Sequence, residues 1–264
     1  MATLTGPFKF KGKLSGISSY QMRGEEKYVL REGGGPTKNR RKTMKLNKQN
    51  NSEFGGASKA SKAIRWSIHG LRFIADFVLA GEFTSYATFI QQRDTVGDRG
   101  QRSIYFSKNK SFLEGFNLNK KAIFDSIIRN PLSFSVSREA GSASVEIPAL
   151  VPGINFFPNW KQPYFQVLVT LGTMTDVVFD KKEKEYVPAS GSLEGDNETV
   201  RSGWHTTESG YNGGTLNISL NNTNGIDDTQ TLVLAVGIEV GIPKWADDIR
   251  FVKYLGAAKI LRLF

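Results

Sequence analysis

The sequence predicts an α+β chain in three consecutive parts: an extended basic arm (residues 1–51), a helical region (52–130) and a carboxyl-terminal antiparallel β-sandwich (131–264). Three observations carry this. Apolar and polar residues alternate before Gly33. Apolar residues then recur every three or four positions from Ala57 to Val78. After Pro131 they fall into short runs separated by loops rich in Gly, Asn, Asp and Pro.

In the arm, Phe8, Phe10, Tyr20, Met22, Tyr28 and Leu30 occupy alternating positions, and Gly12, Gly16 and Gly24 punctuate them. This spacing predicts short strands with turns at the glycines. Gly33-Gly34-Gly35-Pro36 is a break, and it is followed by the basic cluster Lys38-Asn39-Arg40-Arg41-Lys42. Ala57, Ala60, Ile64, Ile68, Leu71, Ala75 and Val78 predict one long helix, with Ser52 as its N-cap and Gly81 as its C-cap. A second helix is predicted over 84–93 and a short third one after Asn119, stopping before Pro131. The β part offers candidate strands at 133–137, 144–147, 164–179, 199–205, 215–220, 231–240 and 257–264. The stretch 97–117 shows no period that assigns it.

Composition excludes several kinds of chemistry. The 264 residues include no cysteine, which removes disulfides, thiolate nucleophiles and Cys-ligated zinc. Two histidines, His69 and His205, cannot furnish a multi-histidine metal site. No apolar run reaches the ~20 residues that cross a bilayer. Met1 to Gly12 carries no apolar stretch with a small-residue cleavage site, so the reading is a protein of the cytoplasm, or of a particle assembled there, without a membrane partner.

Motif chemistry is equally sparse. His205 sits in Gly203-Trp204-His205-Thr206-Thr207 without a nucleophile-elbow motif, and so reads as a strand histidine. Gly33 to Lys38 lacks P-loop spacing, and Pro36 removes a donor amide such a loop needs. The acidic pairs Asp227-Asp228 and Asp247-Asp248 read as turns, with no EF-hand spacing. The sequence therefore predicts no enzyme, no cofactor and no metal.

Charge is the strongest signal. Residues 1–130 hold 24 Lys and Arg against 10 Asp and Glu, a balance of +14; the remainder holds 11 against 15, a balance of −4. A charge gradient of this size predicts an electrostatic partner for the first half. The candidate contacts are Phe8, Phe10 and Tyr20 as apolar anchors and Arg23, Arg31, Lys38, Arg40, Arg41, Lys42, Lys45 and Lys48 as charges. Lys59, Lys62, Arg65 and Arg72 join them from one polar helix face.

Lys11-Gly12-Lys13-Leu14-Ser15-Gly16, Arg31-Glu32-Gly33-Gly34-Gly35-Pro36 and Glu53-Phe54-Gly55-Gly56-Ala57-Ser58, with Gly237-Ile238-Glu239-Val240-Gly241 near the end, carry a resemblance. The chain resembles a Bacteroidota protein family, a domain of unknown function with a glycine-rich amino-terminal segment, a helical middle and a β carboxyl half. The resemblance implies that outline and a lineage, and no activity.

Taken together, these readings predict a non-enzymatic structural subunit of a homomeric assembly (a filament, tube or phage-like particle), with the basic arm docking on the acidic half of the next copy. The alternative from the same residues is a nucleic-acid-binding or ribosome-associated protein. The stretch from Gly33 to Glu53 has no aromatic residue on which bases could stack.

Overall fold

The structure is a computed structural model. It describes residues 2–4, 10–21, 27–32, 40–221, 226–245 and 248–264. The chain forms two compact units, Met1–Asn47 and Lys48–Phe264.

The first unit contains a four-stranded antiparallel sheet of β1 (Ala2–Leu4), β2 (Gly12–Leu14), β3 (Ile17–Gln21) and β4 (Tyr28–Glu32), in the order β1-β4-β3-β2. The β2–β3 hairpin turns on Ser15 and Gly16, both at positive φ (44° and 80°). Two left-handed residues match the right-handed twist of the flanking strands, which is why a glycine sits there. Gly24, the third predicted turn position, lies outside the described residues.

Helix α1 (Arg40–Ser67) spans the division between the units. It begins twelve residues before the predicted N-cap, and Ser52 is a mid-helix residue whose Oγ donates to the Gly100 carbonyl at 2.7 Å. Lys, Arg, Met, Leu and Gln between 41 and 49 are good helix formers. Periodicity misses this stretch because it buries little: Met44 and Leu46 are exposed. The end is displaced as well. α1 stops at Ser67, a single 3-10 turn covers His69–Leu71, and α2 (Leu79–Gln91) already contains Gly81. The predicted third helix shrinks to α3 (Phe124–Ile127). Asn119, its expected start, is instead a junction: its Nδ2 donates to the carbonyls of Ile74 and Gly256, while its Oδ1 accepts from the amides of Lys121 and Ala122.

The β part of the second unit consists of antiparallel ladders. β5 (Ser133–Ser137), β6 (Ser142–Ile147) and β12 (Gly214–Ser219) form a three-stranded sheet in the order β12-β6-β5. A larger sheet runs β10 (Asn197–Arg201), β7 (Tyr164–Thr175), β13 (Gln230–Trp245), β14 (Asp248–Leu263), with β11 (His205–Thr206) also pairing β7. β8 (Val177–Asp180) and β9 (Glu185–Pro188) make a separate hairpin. The predicted strand at 164–179 is broken at Asp176, and the one at 199–205 divides into β10 and β11. β9 had no counterpart in the sequence reading.

Two cores lie on the two faces of the larger sheet. On one, Leu168, Val233, Ala235, Ala258 and Ile260 pack with Ala57, Ala60, Ile64, Ile68 and Phe83 of the helices. On the other, Val167, Val169, Leu234 and Val236 pack with Val145, Ile147, Leu216 and Ile218 of the smaller sheet. The fold is thus mixed, with few helices and mostly antiparallel sheet. The two sheets do not close on each other, and the helices cover the face that a two-sheet sandwich would leave to solvent. Residues 231–241 are all buried, as a strand covered on both sides must be.

The helix layer reaches the sheet through missing side chains. A Cβ on Gly172 of β7 would lie 2.1 Å from the Ser67 carbonyl oxygen, and one on Gly237 of β13 would lie 2.6 Å from Leu71. Gly70 completes the approach, its own Cβ position being 2.0 Å from Thr199 Oγ1. Gly172→Ala puts a methyl group against backbone that cannot yield and is expected to cost ~1–3 kcal/mol in thermal or denaturant unfolding. Gly55→Ala in α1, where the added methyl meets nothing within 4 Å, is expected to raise stability by ~0.5–1 kcal/mol.

Candidate functional site

The predicted contact residues are distributed unevenly. Phe8, Arg23 and Lys38, and the side chains of Arg40, Arg41 and Lys42, lie outside the described residues. Phe10 is half-buried ahead of β2, Tyr20 is exposed on β3, and Arg31 is exposed on β4, its carbonyl accepting from Ser18 Oγ. Lys45 and Lys48 are exposed on α1. The helix face is partly engaged within the chain. Lys59 Nζ is 3.3 Å from Glu185 and donates to the Tyr186 carbonyl, and Lys62 Nζ is 2.6 Å from Glu194. Both pairs remain solvent-facing and contribute little stability, but they place acidic groups of the second half over this face. Arg65 donates back to the Ser61 carbonyl.

Arg72 belongs to a different place. It lies past the end of α1, against His69 and Phe73, two of the residues that, with Gly70, Gln166, Arg201, Glu239 and Phe251, line a cavity of about 410 Å³. The cavity follows from the way the helix layer ends. Gln166 on β7 and Glu239 on β13 are Cα partners in the ladder. Their neighbours Val167, Ile238 and Val240 face the smaller sheet, so this pair faces the helix side, beyond Leu168 and past the last turn of α1. The helix supplies no apolar cover there, and polar side chains occupy the gap.

Their geometry is specific. Gln166 Nε2 donates to Glu239 Oε2 at 2.7 Å, and Arg201 Nε approaches the same oxygen at 3.5 Å. Glu239 is only 5% exposed, and a carboxylate that deep needs both partners. Arg201 reaches it from the end of β10 with its side chain half in solvent. His69 Nδ1 lies 3.3 Å from Arg72 Nη1. A guanidinium can only donate, so Nδ1 accepts and the ring hydrogen belongs on Nε2. Burial, and then the Arg72 charge, hold the His69 pKa below its ordinary value of 6.5. Phe73 and Phe251 form the apolar wall, ring centroids 6.3 Å apart. Arg72 and Lys253 sit over the Phe73 ring at 4.4 and 5.0 Å. The site is pinned from β14 by the Tyr254 amide, which donates to the Phe73 carbonyl at 2.6 Å.

β14 is irregular at this point. Glu239 pairs with Gly256, yet Gly241 pairs with Phe251, so residues 252–255 bulge opposite Val240. Tyr254 (φ 65°) and Gly256 (φ 107°) turn the chain there, and a Cβ on Gly256 would collide with the Ile238 carbonyl at 2.0 Å.

Among the described residues, no three His, Asp or Glu side chains gather in a metal-binding group. His205 packs against Phe165 and Tyr211. Asp227 is a turn residue whose Oδ1 accepts from the amide and hydroxyl of Thr229. No described helix is long and apolar enough to cross a membrane. The sequence reading passed over Gln166, Arg201, Glu239 and Phe251. The available signal was a Gln and a Glu standing inside otherwise apolar strands.

Family models, curated proteins and solved structures were compared with the chain, and none matches.

His69 is expected to titrate below 6.5 in a proton NMR titration, and Arg72→Gln is expected to move its midpoint part of the way back, since burial persists. A lowered histidine pKa favours the neutral ring in the fold. The stability it contributes is complete above the ordinary value and is lost as the pH falls through the lowered one. Gln166→Leu removes the nearest donor to the buried Glu239 carboxylate and is expected to cost ~1–3 kcal/mol in unfolding.

Proposed function

We propose that the chain is a non-enzymatic structural subunit of a homomeric assembly, a filament, tube or phage-like particle formed in the cytoplasm. The observation that carries this reading is the extended apolar surface of the β13–β14 ribbon. β7 pairs with β13 only as far as Tyr164 opposite Gly241. Beyond that the two strands run on alone, bearing Ile242 and Trp245, the latter 80% exposed, with Tyr254 exposed at the root. A two-stranded ribbon is marginal by itself, and an indole so placed favours a partner.

The first unit supports the same reading. Its strands have three to five residues, and Leu14, Ile17 and Tyr20 are exposed. A sheet this small buries too little to be stable alone, and it gains by joining strands or apolar surface of a neighbour. The charge division gives the direction: the basic first half of one copy meets the acidic second half of the next. In this picture the two sheets that share a core over 131–264 serve as an open sandwich, the body that is stacked.

Size-exclusion chromatography with light scattering, followed by negative-stain microscopy, tests the reading. The full chain is expected to form homomers, and a variant lacking residues 1–47 to run as a monomer. Trp245→Ser is expected to weaken assembly at least tenfold in concentration. Assembly that persists unchanged in both variants overturns the proposal. A preparation that is monomeric, carries a high 260/280 absorbance ratio and releases nucleic acid with rising salt would favour nucleic-acid binding instead.

A further inference from the structure

We propose that the cavity at the end of α1 is a binding site for a small organic anion, a carboxylate carried on an aromatic or branched aliphatic body. This inference does not rest on the assembly reading, since all of its residues belong to the second unit of one copy.

The polar groups of the site are almost all donors. Arg201 spends Nε on Glu239, and its two terminal nitrogens have no partner among the described residues. Arg72 engages His69 through Nη1 and leaves Nε and Nη2 without a hydrogen-bond partner among the described residues. The described contact of Lys253 is the face of Phe73, and the Nε2 hydrogen of His69 has no hydrogen-bond partner among the described residues. Against these stands one carboxylate, Glu239, whose Oε2 already receives both Gln166 and Arg201. Arg201 balances Glu239 in the lining itself, and Arg72 and Lys253, both over the Phe73 ring, add two cations beside it, so the surplus is positive and lies in N–H groups. The complement is an acceptor-rich anion, and a carboxylate matches the fork of a guanidinium.

The rest of the cavity is not built for a bare ion. Phe73 and Phe251 line it, and Arg72 and Lys253 lie 4.4 and 5.0 Å from the Phe73 ring centroid, so an anionic head held by these cations sets its body beside the two rings. About 410 Å³ lies within the ~300–1,000 Å³ of small-molecule sites and exceeds the need of an ion alone. In this arrangement Glu239 is a positioning residue: buried and bonded to Gln166, it holds the Arg201 side chain by Nε and leaves its terminal nitrogens to the ligand.

The test uses the full chain and four probes: 3-phenylpropionate, its neutral amide, acetate and inorganic phosphate. Binding is followed by calorimetry and by the His69 ring resonances. 3-Phenylpropionate is expected to bind, shift His69, and exceed acetate, phosphate and the amide at least tenfold in affinity. Arg72→Gln, a change at an exposed side chain, is expected to weaken it at least threefold. Arg201→Gln combined with Glu239→Gln, which removes both charges together, is expected to weaken it at least tenfold with the unfolding midpoint retained. An amide that binds as well as the acid, phosphate that binds as well as 3-phenylpropionate, or affinity unchanged in Arg72→Gln overturns the proposal. So does the absence of any shift at His69.

Discussion

The contact on which the rest of the second unit depends is backbone against backbone: the Ser67 carbonyl resting on Gly172 at the centre of the larger sheet. Helices normally meet sheets through side chains, at about the 10 Å spacing of packed layers. Here Gly172, Gly237 and Gly70 remove the intervening atoms, and the end of α1 drops onto β7 and β13. Leu71 and Ile74 then fill the groove over Gly237 and carry the buried stripe onward after the helix has ended. The close approach fixes where the helix layer stops. That stopping point decides which residues of β7 and β13 can be apolar and which must be polar.

Much of this architecture was legible in the sequence, and its failures share a cause. β5 was read with its correct limits and β6 and β12 within two residues, because alternation and loop chemistry report directly on a pleated sheet, whereas the end of β13 past 240 and the start of β14 before 257 were missed. The helix boundaries were misread in both directions. Upstream, the chain is helical from Arg40, and the side chains described from Met44 to Asn51 bury no face, so no periodicity marks them. Downstream, Leu71 and Ala75 keep the spacing of a helix and stay buried although the chain there is a 3-10 turn and a loop, while Val78, the last residue of the predicted stripe, is exposed. Burial continued while hydrogen bonding changed, and spacing reports only burial. The sandwich was inferred from the carboxyl half alone, and nothing local could reveal that one face of its main sheet belongs to α1 and α2.

The charge pattern divides in the same way. The gradient along the sequence is a bulk property and survives folding, but individual side chains acquire local employment. Lys59 and Lys62 pair with Glu185 and Glu194, whereas Arg72, grouped with them by sequence, rests against a phenyl ring and a histidine that line the cavity. Glu239 was visible as a carboxylate in an apolar strand. Its significance depended on Gln166 and Arg201, which are distant in sequence and become neighbours only through the β10-β7-β13 order.

The bulge of β14 over residues 252–255 has a consequence for how the molecule tolerates change in length. Four residues there stand opposite one, so the ribbon and the body of the sheet are out of phase with each other by an amount set by that loop. Removing one residue from it forces a choice between a tighter bulge and a distal ladder slipped by one residue, and the slip exchanges the inner and outer faces of β14 there. Phe251 would then leave the cavity wall, and the outward surface of the ribbon would be rewritten without any substitution in it. The segment that carries Lys253 and Tyr254 thus also acts as the phase setting between two parts of the same strand.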